Sequence, residues 1–262
     1  MKKIDKSICK HLYRPPKDSH KGQNGKLLII GGSELFHAAS RWSLLVASRI
    51  VDMVFYSSVP TNNVLVKEAK KEFINGIVVP RSQVEDYIKE SDCILIGPGM
   101  TRSQKTAQIT NQLLVKYPDK RWVVDAGALQ MMQVDLINEQ MILVPHAEEF
   151  NRLFGAEKIT NVVKKHGGTI VLKGQVDIIY NRQQCIENHT GNEGMTKGGT
   201  GDTLAGLVAA LYCKNKAWLA ACAGTYINGL AGDQLYKKVG LYFNTSDLAD
   251  EIPRVMKELM ID

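Results

Sequence analysis

The sequence predicts an α/β fold in which a mostly parallel sheet is covered by helices on both faces. Three observations predict it. Short apolar runs of strand length alternate with longer amphipathic segments, the apolar runs finish in glycine or polar residues, and no linker, low-complexity tract or repeat interrupts the alternation. In such folds the working loops gather at the carboxyl ends of the strands. A chain of 262 residues, 44% hydrophobic and 23% charged, suits one domain over residues 1–262 with a large apolar core.

The elements follow in order. After a polar leader with Pro15 and Pro16, Lys26 to Ile30 is a buried strand that meets a turn at Gly31-Gly32-Ser33. Ala38 to Val51 carries Leu44, Leu45, Ala47 and Ile50 at helical spacing. Met53 to Val59 is a strand stopped by Pro60, and Gly76 to Val79 is a shorter one. A helix at Val84 to Ile88 leads into strand Asp92 to Ile96, closed by Gly97-Pro98-Gly99. A helix near Lys105 to Tyr117 precedes strand Arg121 to Val124, ending at Asp125, and strand Met141 to Val144, ending at Pro145-His146. Thr169 to Leu172 gives way to Lys173-Gly174, and Val176 to Tyr180 with Gln183 to Glu187 forms a hairpin turning at Asn181-Arg182. The last third is helical: Thr200 to Tyr212, Ala217 to about Lys237, and Ser246 to Met260.

The net charge of +6 admits anionic ligands. The one dense basic cluster, Lys67, Lys70 and Lys71 interleaved with Glu68 and Glu72, reads as a solvated helix face, and no basic stripe with exposed aromatics points to nucleic acid. The five cysteines are odd in number and widely spaced, with no CxxC pair, which argues against a disulfide framework and a zinc site. Met1-Lys2-Lys3-Ile4-Asp5 has no apolar run behind it, and no stretch approaches the ~18 apolar residues of a membrane span. The expectation is a soluble cytoplasmic protein.

Chemistry concentrates in Gly194 to Asp202, followed by Leu204, Leu207, Val208 and Leu211 at helical spacing. Glycines admit close backbone approach, and a helix start offers unpaired N–H groups to anions. The amides of Gly199, Thr200 and Gly201 are therefore candidates to hold a phosphoryl group. Asp202, in the first turn, is suited to accept a proton from a hydroxyl attacking phosphorus, unless it only caps the helix. No G-x-x-x-x-G-K-[ST] pattern occurs, so a Walker-type loop is not the explanation.

Gly31 to Ala39, Gly97-Pro98-Gly99, Val124-Asp125-Ala126, Pro145-His146 with Glu149, Val171 to Gly174 and Gly198 to Gly206 occur in that order. Together they resemble the ADP/ATP-dependent NAD(P)H-hydrate dehydratases, over residues 20 to 260 and in the form without a fused epimerase domain. The resemblance implies a ribokinase-like three-layer α/β sandwich. The activity it implies is dehydration of the S-form of hydrated NADH or NADPH: ADP or ATP phosphorylates the hydroxyl and phosphate is then eliminated. By position it implies Ala39, Gly99, His146 and Asp202 at the hydrated nicotinamide nucleotide, with Asp202 catalytic. Lys173, Gly174, Gln175, Val176 and Asp177, with Gly199, Thr200 and Gly201, would lie at the adenine nucleotide. It further implies Mg2+, with metal ligands undetermined, and a homo-oligomer, a tetramer among the options. Glu149 is read as a surface helix carboxylate with a possible supporting role.

The chain departs from the family pattern at Gly127 and Gln130, where aspartate and asparagine are usual. It departs again at Ala147-Glu148 in place of proline-glycine, at Lys197, which offers extra anion binding, and at Ser40 in place of proline. Two other readings stay open: a hydroxymethylpyrimidine- or thiazole-type kinase of the same fold, and a nucleotide-binding homologue without activity. The preference between ADP and ATP, and between the two hydrates, is not written in the sequence.

Overall fold

The computed structural model describes residues 2–71 and 75–260. Met1 and Glu72 of the sequence reading lie outside the described residues. The strands are β1 (Lys2–Lys3), β2 (Lys26–Ile30), β3 (Met53–Ser57), β4 (Ile77–Val78), β5 (Cys93–Ile96), β6 (Arg121–Val124), β7 (Met141–Leu143), β8 (Thr169–Leu172), β9 (Asp177–Tyr180) and β10 (Cys185–Asn188). They form one sheet in the order β1-β10-β9-β8-β7-β6-β5-β2-β3-β4. Among the described residues every pairing is parallel except those of β9 with β8 and β10.

The helices are α1 (Ala39–Ala47), α2 (Pro60–Glu68), α3 (Val84–Glu90), α4 (Gln104–Lys116), α5 (Ala126–Met131), α6 (Ala147–Phe154), α7 (Ile159–His166), α8 (Thr200–Tyr212), α9 (Ala217–Val239) and α10 (Thr245–Met260). Alternate side chains of a strand point to opposite faces, so the continuous apolar strands feed two cores. Leu27, Ile29, Tyr56, Leu95 and Val123 pack with α1, α8, α9 and α10. Their neighbours Leu28, Ile30, Phe55, Ile94 and Trp122 pack with α3 to α7. The predicted α/β sandwich is present, with β9 as its antiparallel exception.

Some boundaries differ for local reasons. The helix expected over Ala38 to Val51 stops at Ala47. The strand expected to reach Val59 ends at Ser57, and Pro60 stands in the first turn of α2, where its missing N–H has no intrahelical acceptor to lose. The hairpin strands begin one and two residues later than expected, the second because Asn181 closes a wider turn by donating its amide to Gln184 O. Pro253 inside α10 denies Ala249 O its usual donor, and Arg49 Nη1 approaches that carbonyl at 3.5 Å. Among the described residues no helix is long and apolar enough to cross a membrane.

Candidate active site

The glycine-rich turn is built before any ligand arrives. Gly199, at the N-cap of α8, has φ 102°, and a Cβ there would stand 2.3 Å from the Trp42 ring, so both backbone and space require glycine. Thr245 Oγ1 on α10 donates to Gly198 O at 2.7 Å, and Ser43 Oγ on α1 donates to Asp202 O at 2.8 Å. Thr200 Oγ1 donates to Met195 O at 2.7 Å. The first intrahelical bond runs from Thr203 N to Gly199 O, which leaves the amides of Gly201 and Asp202 at the positive end of the helix. The Thr200 amide is turned back toward Lys197 O at 3.4 Å.

Two clefts meet at this turn. One, of about 760 Å³, is lined by Lys173 to Asp177, the 189–193 loop, Thr200, Gly201, Leu204 and Asn228. The other, of about 630 Å³, is lined by Ala39, Gly99, Gln130, His146 and Asp202, among others. Gly201 and Asp202 are consecutive, yet each opens into a different cleft. A group passed between the two clefts therefore crosses the first turn of α8.

Charge converges on the same corner. The carboxyl ends of β6 and β8 supply Asp125 and Lys173, whose charged atoms lie 3.0 Å apart, and Lys173 is 3.8 Å from Glu149 on α6. Burial opposes a charged Lys173, but Asp125 and Glu149 outweigh it and hold the ammonium above its usual range. The Asp202 carboxyl is pushed up to about 7, first by burial and then by the negative charge of Asp125 and Glu149, against the pull of Lys173. Perturbation of this kind in a cleft marks candidate acid–base groups.

The other site residues named from the sequence, Gly199 apart, line one cleft or the other. His146 lines the second cleft and also caps α6: its Nδ1 accepts the amides of Glu148 and Glu149 at 3.2 and 3.3 Å. An accepting Nδ1 leaves Nε2 to carry the ring proton. Gln175 and Val176 line the first cleft, and the half-buried Asp177 carboxylate accepts from Gly174 N at 3.0 Å and Asn188 Nδ2 at 3.1 Å, so it shapes the turn. Gly199 lines neither cleft.

Three sequence expectations are corrected. Glu149 is not a surface carboxylate; it is 5% exposed, accepting from His146 N and Gln130 Nε2 at 3.0 Å each, because a carboxylate at the third helix position reaches back to the cap. Lys197 adds nothing to anion binding, since its ammonium is taken by the carbonyls of Gly194 and Leu241 and sits over the Phe243 ring. The Thr200 amide, expected to hold a phosphoryl group, is turned to Lys197 O instead. The departures at Gly127 and Gln130 also have consequences. A Cβ at Gly127 would stand 2.0 Å from Met100 O, while Gln130 relocates the polar contact onto Glu149.

Sequence reasoning missed Asp125 as a partner of Lys173, and missed Asn228 and the 189–193 loop altogether. Asp125 left one usable signal, an acid directly after an apolar strand. Asn228 left none, since it lies within the apolar α9.

Comparison with known proteins bears on what these clefts serve. The NAD(P)H-hydrate dehydratase family model matches residues 27–254. An ADP-dependent (S)-NAD(P)H-hydrate dehydratase of Nitrosopumilus maritimus is 38% identical, over 91% of each chain. A bifunctional NAD(P)H-hydrate repair enzyme of Methanocaldococcus jannaschii is 42% identical over 95% of this chain, which spans 51% of that relative's length. A solved ribokinase-like superfamily protein of Enterococcus faecalis superposes with TM-score 0.90 at 24% identity, covering 100% of this chain and 97% of the other.

Proposed function

The chain belongs to the NAD(P)H-hydrate dehydratase family, and from that premise we propose that it restores NADH and NADPH by ADP- or ATP-dependent dehydration of their S-hydrates. The observation that carries the proposal is the junction at Gly201 and Asp202, where one helix turn divides a cleft for the phosphoryl donor from a cleft for the acceptor.

In the proposed course, Lys173 to Val176, Thr200 and the amide of Gly201 hold the adenine nucleotide, with Asp177 fixing their turn. Gly199 supplies the left-handed bend. Ala39 and Gly99, both small, leave room for the hydrated ring, and His146 offers Nε2–H to the same substrate. Asp202 accepts the hydroxyl proton as that oxygen attacks the terminal phosphorus, the bond to the nucleotide breaks, and AMP or ADP leaves. The helix-start amides meet the charge that develops on the phosphoryl oxygens. Ring-nitrogen electrons then expel phosphate, and loss of a proton from the adjacent ring carbon restores the double bond.

Mg2+ fits this corner as part of the nucleotide and not as a resident ion. Asp125 and Glu149 already face the Lys173 ammonium, and among the described residues no group of three His, Cys, Asp or Glu is set to hold a metal. Mg2+ bound to phosphates would neutralise their charge. We place the reaction in the cytoplasm, in line with the unbridged buried thiols of Cys9, Cys93, Cys213 and Cys222. We also place it in a homo-oligomer, in line with exposed Tyr236, Val239, Leu241 and Tyr242, a state that sedimentation tests directly.

The deciding experiment mixes purified protein with each hydrate, ADP or ATP, and Mg2+. Return of reduced-cofactor absorbance with stoichiometric free phosphate is the expected result. Phosphate retained on the product would indicate a kinase, and nucleotide binding without turnover would indicate an inactive homologue.

A further inference from the structure

The cleft beside Asp202 is acidic, for Glu148, Glu149 and Asp202 all line it. The compound assigned to it is a dinucleotide with a pyrophosphate, so negative charge has to be accommodated beside these carboxyl groups. Lys173 is committed to Asp125 and Glu149 and lines the other cleft. The cations that line this cleft are Arg102 and Arg152.

Both arginines are exposed, and neither makes an ion pair with a described residue. Glu148 stands four positions before Arg152 on α6, the spacing at which opposite charges meet, yet the two are not paired. Arg102 comes from the loop between β5 and α4, three residues after Gly99, so the two guanidinium groups reach the cleft from separate elements. Asp202 is the more buried end. A ring whose hydroxyl reaches Asp202 leaves the rest of the dinucleotide to the outer part of the cleft, which the exposed arginines line.

We propose that Arg102 and Arg152 clamp the pyrophosphate of the hydrated dinucleotide and so select dinucleotides for this cleft. The inference rests on the reading of the cleft as the hydrate site. Guanidinium groups suit it, because their planar fork bonds phosphate in two places and stays charged at any working pH. They also offset the repulsion from Glu148.

The test compares wild type with Arg102→Gln, Arg152→Gln and the double variant, varying S-NADPH hydrate at saturating ADP and then ADP at saturating hydrate. Each single variant is expected to raise KM for the hydrate about tenfold, with kcat and KM for ADP near wild type. NADPH binding without nucleotide, read by fluorescence titration, should weaken in parallel. Wild-type affinity for NADPH in the double variant, or a fall in kcat with KM for the hydrate unmoved, overturns the clamp. A wild-type protein that binds NADPH but turns over no hydrate sinks the activity instead, and the titration then decides the clamp alone.

Discussion

The Lys173 ammonium lies 3.0 Å from Asp125 Oδ1, with the side chains 19% and 2% exposed. The pair stands where the two clefts approach each other, since Lys173 Nζ is 3.5 Å from the point where a Cβ on Gly201 would sit. Asp202 feels both members, one raising and one lowering its affinity for a proton. The consequences are measurable.

Lys173→Met leaves Asp125 and Glu149 buried without their cation. Breaking a buried pair in this way costs about 3 kcal/mol. Denaturant unfolding should show that loss, and adding Asp125→Asn should recover part of it. Removing the cation also drives Asp202 further up, so the acid limb of the pH–rate profile should shift to higher pH.

Asp202→Asn removes the proton acceptor while keeping the shape of the turn. Turnover should fall by roughly 10²–10⁴-fold, with ADP affinity by calorimetry nearly unchanged. Rates near wild type would remove Asp202 from the mechanism.

The pH dependence of Asp202 has two signs. As a base it works ionised, so kcat/KM should rise with pH through about 7. For stability, the folded value lies above the ordinary 3.8, so between the two the native state binds more protons than the unfolded chain. Stability from this group is therefore lost as pH rises through that window. Asp202→Asn should be more stable than wild type above neutrality, by about 1–3 kcal/mol, and lose that advantage in acid. Equal unfolding midpoints at high and low pH would contradict the shift.

Gly127→Asp, which restores the residue usual in the family, should harm this chain. Its Cβ would meet Met100 O at 2.0 Å, an overlap that moves backbone and costs about 2–3 kcal/mol. Gln130→Asn shortens the reach to Glu149 and should cost about 1 kcal/mol. Thermal unfolding of both variants separates the two effects, and a stabilised Gly127→Asp would mean that the Met100 segment yields.

The sequence by itself determined the alternation of strands and helices, nearly every strand of the central sheet, and the glycine–aspartate start of α8. These are local properties: apolar period, turn chemistry and helix-start signals are written within a few residues. The short helices α5 and α6 escaped because Gly127 weakens the first and a histidine cap disguises the second. Only the tertiary structure decided that Asp125, Glu149, Lys173 and Asp202 share a corner, since that depends on β6, β7 and β8 lying side by side with the first turn of α8 at their carboxyl ends. It also turned Glu149 from a helix-surface acid into a buried one, and sent Lys197 away from the clefts. Burial and long-range charge are set by neighbours distant in the chain, and those neighbours also fix the proton affinity of Asp202.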